Sequence, residues 1–436
     1  MTNTNGRVKI ALAGIGGYGE QYVDALLHDP RASDTHLVGV VEPFPQRCRR
    51  LQELLDRGIA VHPTLDSLLG ASPVDLMMIA TPIHLHADHA CIALCHGAHV
   101  LCEKPLAATA VDALRTADCA AQHPRQFVAI GYQWAFSDAI QALKRDIQAG
   151  VFGRAVRMKT IVFFPRGLAY FRRNDWVGRI RTVTGQAVLD SPANNATAHY
   201  LHIMLYLLGR TREGATMPAS VQAELYRAND IENYDTTALR AITECGAELL
   251  FYTSHAVPAR LGPICRYEFE RATIEYRWAE SSAQFVARFA DGRIRSYGDP
   301  GLDRNRKIWQ SIAAAQDPVG SLSVACGIPA TLAHTACVTA AQQSADAGAA
   351  TFPPSLLRTL ANNGDPIICV DGLAETLMDC FERGVLPAER GGVPWARAAR
   401  PVDARLPVRP ASSPSVKVQI AADAARFPPR ADPVKT

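Results

Sequence analysis

Two short stretches carry the side chains whose types and spacing could do chemistry. The first is "GAHVLCEKPLA", in which Lys104 is the only lysine between residues 10 and 143. An amine there can hydrogen-bond an oxygen, stabilise developing negative charge, or exchange a proton once its pKa is depressed. The plainer reading of Lys104 is an ion pair with the adjacent Glu103. The second stretch is "LDSPANNATAHYLHIMLYLLG", residues 189–209, where Asn195, His199, His202 and Tyr206 interrupt an apolar, helix-like run. An imidazole titrates near neutral pH and suits general acid–base work.

Ser191 is a good N-cap and Pro192 a favoured first helical residue, so a helix is predicted to begin there. At about 100° per residue, Asn195, His199, His202 and Tyr206 fall within roughly 60° of one another. Leu201, Met204, Leu205 and Leu208 lie opposite. Three readings of the polar stripe compete. A solvated face would carry Lys or Glu, which this one lacks. A metal site built on His199 and His202 has no obvious third ligand, so no metal is expected. A substrate-facing stripe fits the composition best. Upstream, "FFPRGLAYFRRNDWVGRIR" combines Tyr170, Phe171 and Trp176 with five arginines, Arg173 among them. Aromatic faces stack on the C–H face of a sugar ring, and Arg binds hydroxyls or a carboxylate. An arm packed across a dimer partner is the other reading of that segment, and both stand.

The elements that must position these groups are easiest to recognise at the N-terminus. In "VKIALAGIGGYGEQYVDALL", residues 8–13 suit a buried parallel strand, and an amphipathic helix follows to Leu27. Between them, Gly14, Ile15, Gly16, Gly17, Tyr18 and Gly19 form a Gly-x-Gly-x-x-Gly turn. Its glycines permit the tight turn, the approach of a pyrophosphate, and close packing of helix on strand. "HLVGVVE" is a second strand, ending in Glu42. A carboxylate there accepts from the adenosine ribose hydroxyls and repels a 2′-phosphate, which favours NAD over NADP. Arg47 and Arg49 are near enough in sequence to receive such a phosphate instead. "VDLMMIATP", "HVLCEKP" and "FVAIGY" read as further strands, with a helix in "LHADHACIALCHG". Repeated β–α units imply a parallel sheet with ligands at the C-terminal ends of its strands. Thr81, Glu103, Lys104 and Gln133 all fall at such ends.

After residue 209 the pattern changes. "ASVQAELYRA", "TTALRAIT", "AELLFYTSHA", "YEFERATIEYRW" and "AQFVARFA" alternate with a period near two, as antiparallel strands do. "LAHTACVTAAQQSADAG" reads as a helix, and "PIICVDGLAETLMDCFERG" as a strand and a helix. From Arg397 the chain is rich in Pro, Ala and Arg and suits an extended tail, wrapped on a neighbouring subunit or partly disordered. The expected organisation is a Rossmann domain over 1–130, an α/β domain over 131–350, an extension over 351–396 and a tail over 397–436. Of 436 residues, 48% are hydrophobic and 20% charged, and the net charge is +3. That is ordinary globular composition, with no basic–aromatic footprint for nucleic acid and no run long enough to span a membrane. The 11 cysteines are scattered, without a Cys-x-x-Cys pair. Together with the missing signal-peptide pattern, this points to reduced thiols in the cytoplasm.

"AGIGGYG", "ATPIHLHADHA", "GAHVLCEKPLA" and "GYQW", in that order and spacing, resemble the glucose–fructose oxidoreductase, inositol dehydrogenase and MocA (Gfo/Idh/MocA) family over about the first 350 residues. The resemblance implies a fold of class α/β: an N-terminal Rossmann domain, then an α/β domain with a large, mainly antiparallel open sheet. One face of that sheet covers the nicotinamide, and a homodimer or homotetramer is expected. It makes Lys104 the pocket lysine and places Pro82 and His86 along the cofactor. A family pattern Asp-x-Gly-x-His, counted back from Gly209, puts His199 on the histidine and Asn195 on the aspartate. Thr197 then replaces the glycine, and His202 a frequent second aspartate. The activity implied is NAD-dependent oxidation of a secondary alcohol in a sugar or cyclic polyol, with His199 the preferred base and Lys104 the alternative. Asn195 in place of a carboxylate keeps two other readings open. One is glycoside cleavage through transient oxidation with retained NAD; the other is a non-catalytic NAD-binding regulator.

Overall fold

The computed structural model describes residues 7–278, 283–317, 323–362 and 364–405. Most of the Pro/Ala/Arg-rich tail thus lies outside the described residues. The N-terminal sheet contains β1 (Val8–Ala13), β2 (Thr35–Val41), β3 (Ala60–His62), β4 (Leu76–Ile79), β5 (His99–Cys102) and β6 (Val128–Ile130). Their order is 3-2-1-4-5-6, and every pairing is parallel. This is the doubly wound dinucleotide-binding order, with its switch point between β1 and β4. The connecting helices are α1 (Gly19–His28), α2 (Leu51–Asp56), α3 (Leu65–Ala71), α4 (His86–Cys95) and α5 (Ala110–Gln122), with α6 (Asp138–Gln148) leading out. Leu76, Met77, Met78 and Ile79 are all buried, as expected for a central strand covered on both faces.

The second sheet is built from β7 (Ala155–Phe163), β8 (Pro218–Arg227), β9 (Thr236–Thr243), β10 (Glu248–Ser254), β11 (Leu261–Phe269), β12 (Ala272–Arg277), β13 (Phe285–Phe289), β14 (Ile294–Gly298) and β15 (Ala350–Thr351). They run in the order 14-13-12-11-7-10-9-8-15. Pairing is antiparallel except between β7 and β10 and between β8 and β15. The fold is therefore the expected one: α/β, a Rossmann domain beside a mostly antiparallel sheet. The run "YEFERATIEYRW" turns out to be a hairpin, because the chain reverses at Glu270 and Arg271 between β11 and β12.

Both faces of this sheet are covered. Met158, Leu239, Leu249, Phe251 and Tyr267 face the core shared with the Rossmann domain. Four α-helices lie between β7 and β15 among the described residues: α7 (Leu168–Arg172), α8 (Ala198–Leu207), α9 (Arg306–Gln316) and α10 (Ile328–Ser344). The alternate residues Ile161, Phe163, Leu250 and Tyr252 face a separate core. It is completed by β16 (Leu357–Leu360), β17 (Ile367–Val370), α11 (Leu373–Arg383) and α12 (Pro387–Arg390). Here Phe381, Leu386 and Trp395 are buried, each side chain stabilising the contact by about 1.5–3 kcal/mol. Finally β18 (Val402–Asp403) pairs with β8.

Candidate active site

The glycine turn obeys close steric limits. Gly14 has φ +83°, and a Cβ there would meet the Ala80 carbonyl oxygen at 2.7 Å. At Gly19 a Cβ would meet the Gly14 oxygen at 2.0 Å, so β1 and α1 can approach only through glycine. Gly16 differs: a Cβ would lie 3.7 Å from Arg47 and 4.0 Å from the Glu42 carboxylate, in an open cradle. The Glu42 carboxylate accepts the Ile15 N–H at 3.3 Å and the Phe44 N–H at 3.1 Å. These residues fit a dinucleotide: the second glycine leaves room for the pyrophosphate, with an acceptor held beside it. Of the two arginines that could have received a 2′-phosphate, Arg49 is paired with Glu20 at 2.5 Å, and Arg47 lies over the Phe44 ring. Gly17 and Tyr18 are exposed at the turn, whereas Ile15 is buried. Thr81, Pro82 and Gln133 are half-buried beyond β4 and β6.

His86 is buried, with Nδ1 2.7 Å from the Pro105 carbonyl oxygen and Nε2 2.8 Å from that of Thr81. Burial lowers its pKa. It lies between the loop after β4 and the loop after β5, and as a neutral imidazole it donates to one of these two carbonyl oxygens. Glu103 is likewise withdrawn. It is buried in an ion pair with Lys307 of α9 and accepts the Tyr22 hydroxyl at 2.6 Å. The plain expectation of a Glu103–Lys104 side-chain pair is thus corrected: Glu103 takes Lys307, which sequence reasoning did not single out. Against the cost of burial, Lys307 and Tyr22 hold the Glu103 carboxyl below its usual pKa.

With Glu103 occupied, the Lys104 ammonium turns to the other domain. Nζ donates to the Asn195 carbonyl oxygen at 2.6 Å and to Asn195 Oδ1 at 3.1 Å. The Asn195 amide in turn donates to Asp190 Oδ1 at 2.8 Å, and Asp190 Oδ2 accepts the Gly178 N–H at 2.7 Å. Asn195 therefore interposes one amide between the amine and a carboxylate. Burial pushes the Lys104 pKa down to about 8, opposed by Glu103 and Asp190 and assisted by the charge of Lys307. Burial holds Asp190 above the ordinary carboxyl range.

The expected helix start needs correction. Ser191 Oγ does accept the Asn194 N–H at 3.3 Å, and the Asn195 N–H reaches the Ser191 carbonyl, but helical geometry does not continue. Thr197 bonds the Pro192 carbonyl with both its N–H and its hydroxyl, at 2.8 Å each, so its side chain competes with the helical ladder. Regular helix begins only at Ala198. Asn195 lies in the preceding turns, where its carbonyl accepts the Ala198 N–H only at 3.4 Å and the Lys104 amine at 2.6 Å.

The polar stripe is corrected too. His202 is fully buried, with Nε2 3.0 Å from the Ala330 carbonyl oxygen and its ring stacked on Tyr132 at 3.8 Å. Tyr206 is also fully buried; its hydroxyl accepts from Gln141 at 2.7 Å and lies 2.7 Å from the Arg212 carbonyl oxygen. Neither has surface for a ligand. Helix α8 packs on α10, so His202 Nε2 and the Tyr206 hydroxyl find backbone partners inside the protein. His199 remains half-buried, and its Nδ1 is buried without a partner. Burial, then the Lys104 charge, drives its pKa well below the ordinary histidine value, so it is neutral at pH 7.

Around this centre, Tyr200 meets Trp134 and Phe164 edge-on. Trp176 is half-buried against a small cluster containing Ile83, Ala108 and Val188. Arg173 is exposed, with its guanidinium 3.7 Å from the Tyr170 ring centre. Tyr170, Phe171, Asp190, Tyr234 and His255 line a small recess beside Asp190.

Fold and site together define a two-domain protein whose dinucleotide cradle faces an amine–amide–carboxylate relay. Residues 8–132 match the GFO_IDH_MocA model, an oxidoreductase family with an NAD-binding Rossmann fold. That match spans the six-stranded parallel sheet from β1 to β6, including the glycine turn and the β5 end that carries Glu103 and Lys104. Inositol 2-dehydrogenase of Acidothermus cellulolyticus is 32% identical over 150 residues, 34% of this chain and 43% of that protein. The rhizopine catabolism protein MocA of Rhizobium meliloti is 31% identical over 147 residues, 34% of this chain and 44% of that protein. The chain thus matches less than half the length of either relative. Among solved structures, the WlbA dehydrogenase from Chromobacterium violaceum, in complex with NADH and UDP-GlcNAcA, superposes with a TM-score of 0.64 at 21% identity. That match covers 80% of this chain and 96% of the other, and it shows a shared fold. No helix among the described residues is long and apolar enough to cross a membrane.

Proposed function

We propose that this protein is an NAD-dependent dehydrogenase that oxidises a secondary alcohol of a sugar or cyclic polyol. The observation that carries the reading is the placement of Lys104. Its amine stands at the C-terminal end of β5, where a dinucleotide-binding sheet presents its ligand, and is held there by Asn195. Relatives named inositol 2-dehydrogenase support the polyol class.

Bound NAD supplies the hydride acceptor. The chain's own residues must bind the alcohol and take its hydroxyl proton. With a pKa of about 8, Lys104 is partly neutral just above neutral pH and can accept that proton. This reverses the preference drawn from sequence: His199 lies too far below neutrality to be the stronger base, and serves instead as an uncharged hydrogen-bonding neighbour. Asn195 orients the amine. Through it, Asp190 supports the ammonium form without placing a full charge beside the substrate.

The test is a panel of sugars, polyols and glycosides with NAD, followed by NADH absorbance and product mass. Net NADH matched by an oxidised product is expected. Cleavage of a glycoside without net NADH, or NAD binding with no turnover across the panel, would contradict the assignment.

A further inference from the structure

Beyond Lys104, three arginines cluster on the aromatic side chains near Asp190. Arg166 lies over two rings, with its guanidinium 4.7 Å from the Tyr170 centroid and 5.8 Å from that of Phe164. Arg173 also lies over the Tyr170 ring, at 3.7 Å from its centroid. Arg260 sits 4.5 Å from Phe164 and 5.3 Å from Trp278. Among the described residues, none of the three has a carboxylate within the 4.0 Å of an ion pair. Arg166 Nε is buried and has no hydrogen-bond acceptor among the described residues. The contrast with the rest of the surface is plain: Arg49, Arg154, Arg157 and Arg240 each hold a carboxylate at 2.8 Å or closer.

The cluster opens onto the same centre. Phe164, under Arg166 and Arg260, touches Tyr200, which touches His199. Arg173 acts electrostatically on both Lys104 and Asp190. Asp190 is the carboxylate that Arg173 feels, yet its oxygens are committed to Asn195 and the Gly178 N–H. His255, beneath Tyr170, has its pKa lowered to about 3 by burial and by Arg166, so it contributes no charge. Stacking on aromatic faces holds each guanidinium fork in place, which reduces the cost of ordering it around a ligand.

We infer that the alcohol substrate carries an anionic group, a carboxylate or a phosphate, which docks on Arg166, Arg173 and Arg260 while its reacting hydroxyl lies at Lys104. Planar forks of this kind match carboxylate and phosphate oxygens two at a time. The inference rests on the dehydrogenase reading for which alcohol reacts, but the anion contact can be measured by binding alone.

The experiment measures dissociation constants by calorimetry on the full-length protein, with and without NADH. The ligands are matched sets: neutral hexoses and polyols, their uronates and aldonates, and their phosphates. At least one anionic member should bind about tenfold or more tighter than its neutral counterpart. Arg166→Met and Arg173→Gln should each erase most of that difference, and Arg173→Lys should restore part of it. Comparing uronates with phosphates identifies the anion. If no anionic member exceeds its neutral counterpart, or if the substitutions weaken both forms equally, the inference falls. Failure of NADH to bind would instead defeat the dehydrogenase reading, and the binding sets without cofactor would still decide the anion question.

Discussion

Two lysines flank Glu103 and fare oppositely. Lys307 is buried; burial works against its charge, but the Glu103 carboxylate and the Tyr18 hydroxyl more than compensate and raise its pKa. Lys104, one residue from the same carboxylate, has only neutral acceptors on its amine and falls to about 8. The difference teaches that proximity to a carboxylate does not fix an amine's charge; the atoms it touches do. One lysine joins α9 to the Rossmann core, and the other is left able to titrate.

That contrast can be broken by exchanging which lysine is lost. Lys104→Met should lower kcat for alcohol oxidation by about a thousandfold, within the range of a lost general acid–base group. Its stability should change by about 1 kcal/mol or less. Steady-state kinetics and urea unfolding check the two halves. Lys307→Met should do the reverse in stability, since it strands Glu103 as a buried charge without its partner. A loss of about 3–5 kcal/mol is expected in the same unfolding experiment. If Lys104→Met proves the more destabilising, the division of roles is wrong.

A smaller effect sharpens the cofactor side. Glu42→Ala removes an acceptor held beside the Gly16 cradle and should weaken NAD binding by about tenfold, with NADP binding improving relative to NAD. Fluorescence titration with each reduced cofactor measures both. Unchanged selectivity would show that Glu42 does not face the ribose.

The parts of this molecule legible in its sequence are those whose cause is local. Gly14, Gly16 and Gly19 act within a single turn, and the strand and helix around them follow from adjacent residues. Period-two runs mark most of the second sheet for the same reason. The relay was not legible. Lys104 and Asn195 are 91 positions apart, and Glu103 and Lys307 are 204 apart. Nothing in "RNRKIWQ" marks Lys307 as different from its charged neighbours. The turns before α8 misled because Ser191 and Pro192 do start a helical turn, and Thr197 then diverts the hydrogen bonds. His202 and Tyr206 misled for another reason. Periodicity places polar residues on one face, but it does not say whether that face meets a substrate or the carbonyls of Ala330 and Arg212.

The central claim is that Lys104 carries the titrating proton at the reaction centre. The most direct measurement is the pH dependence of kcat/KM for alcohol oxidation at saturating NAD, in wild type and in His199→Asn. The neutral amine is the active form, so the rate should rise with pH and level off above an inflection near pH 8. Bound nicotinamide, being positive, would move that inflection downward rather than upward. In His199→Asn the inflection should persist at a reduced rate. An inflection near pH 6 that disappears in His199→Asn would return the base to the histidine and contradict the account.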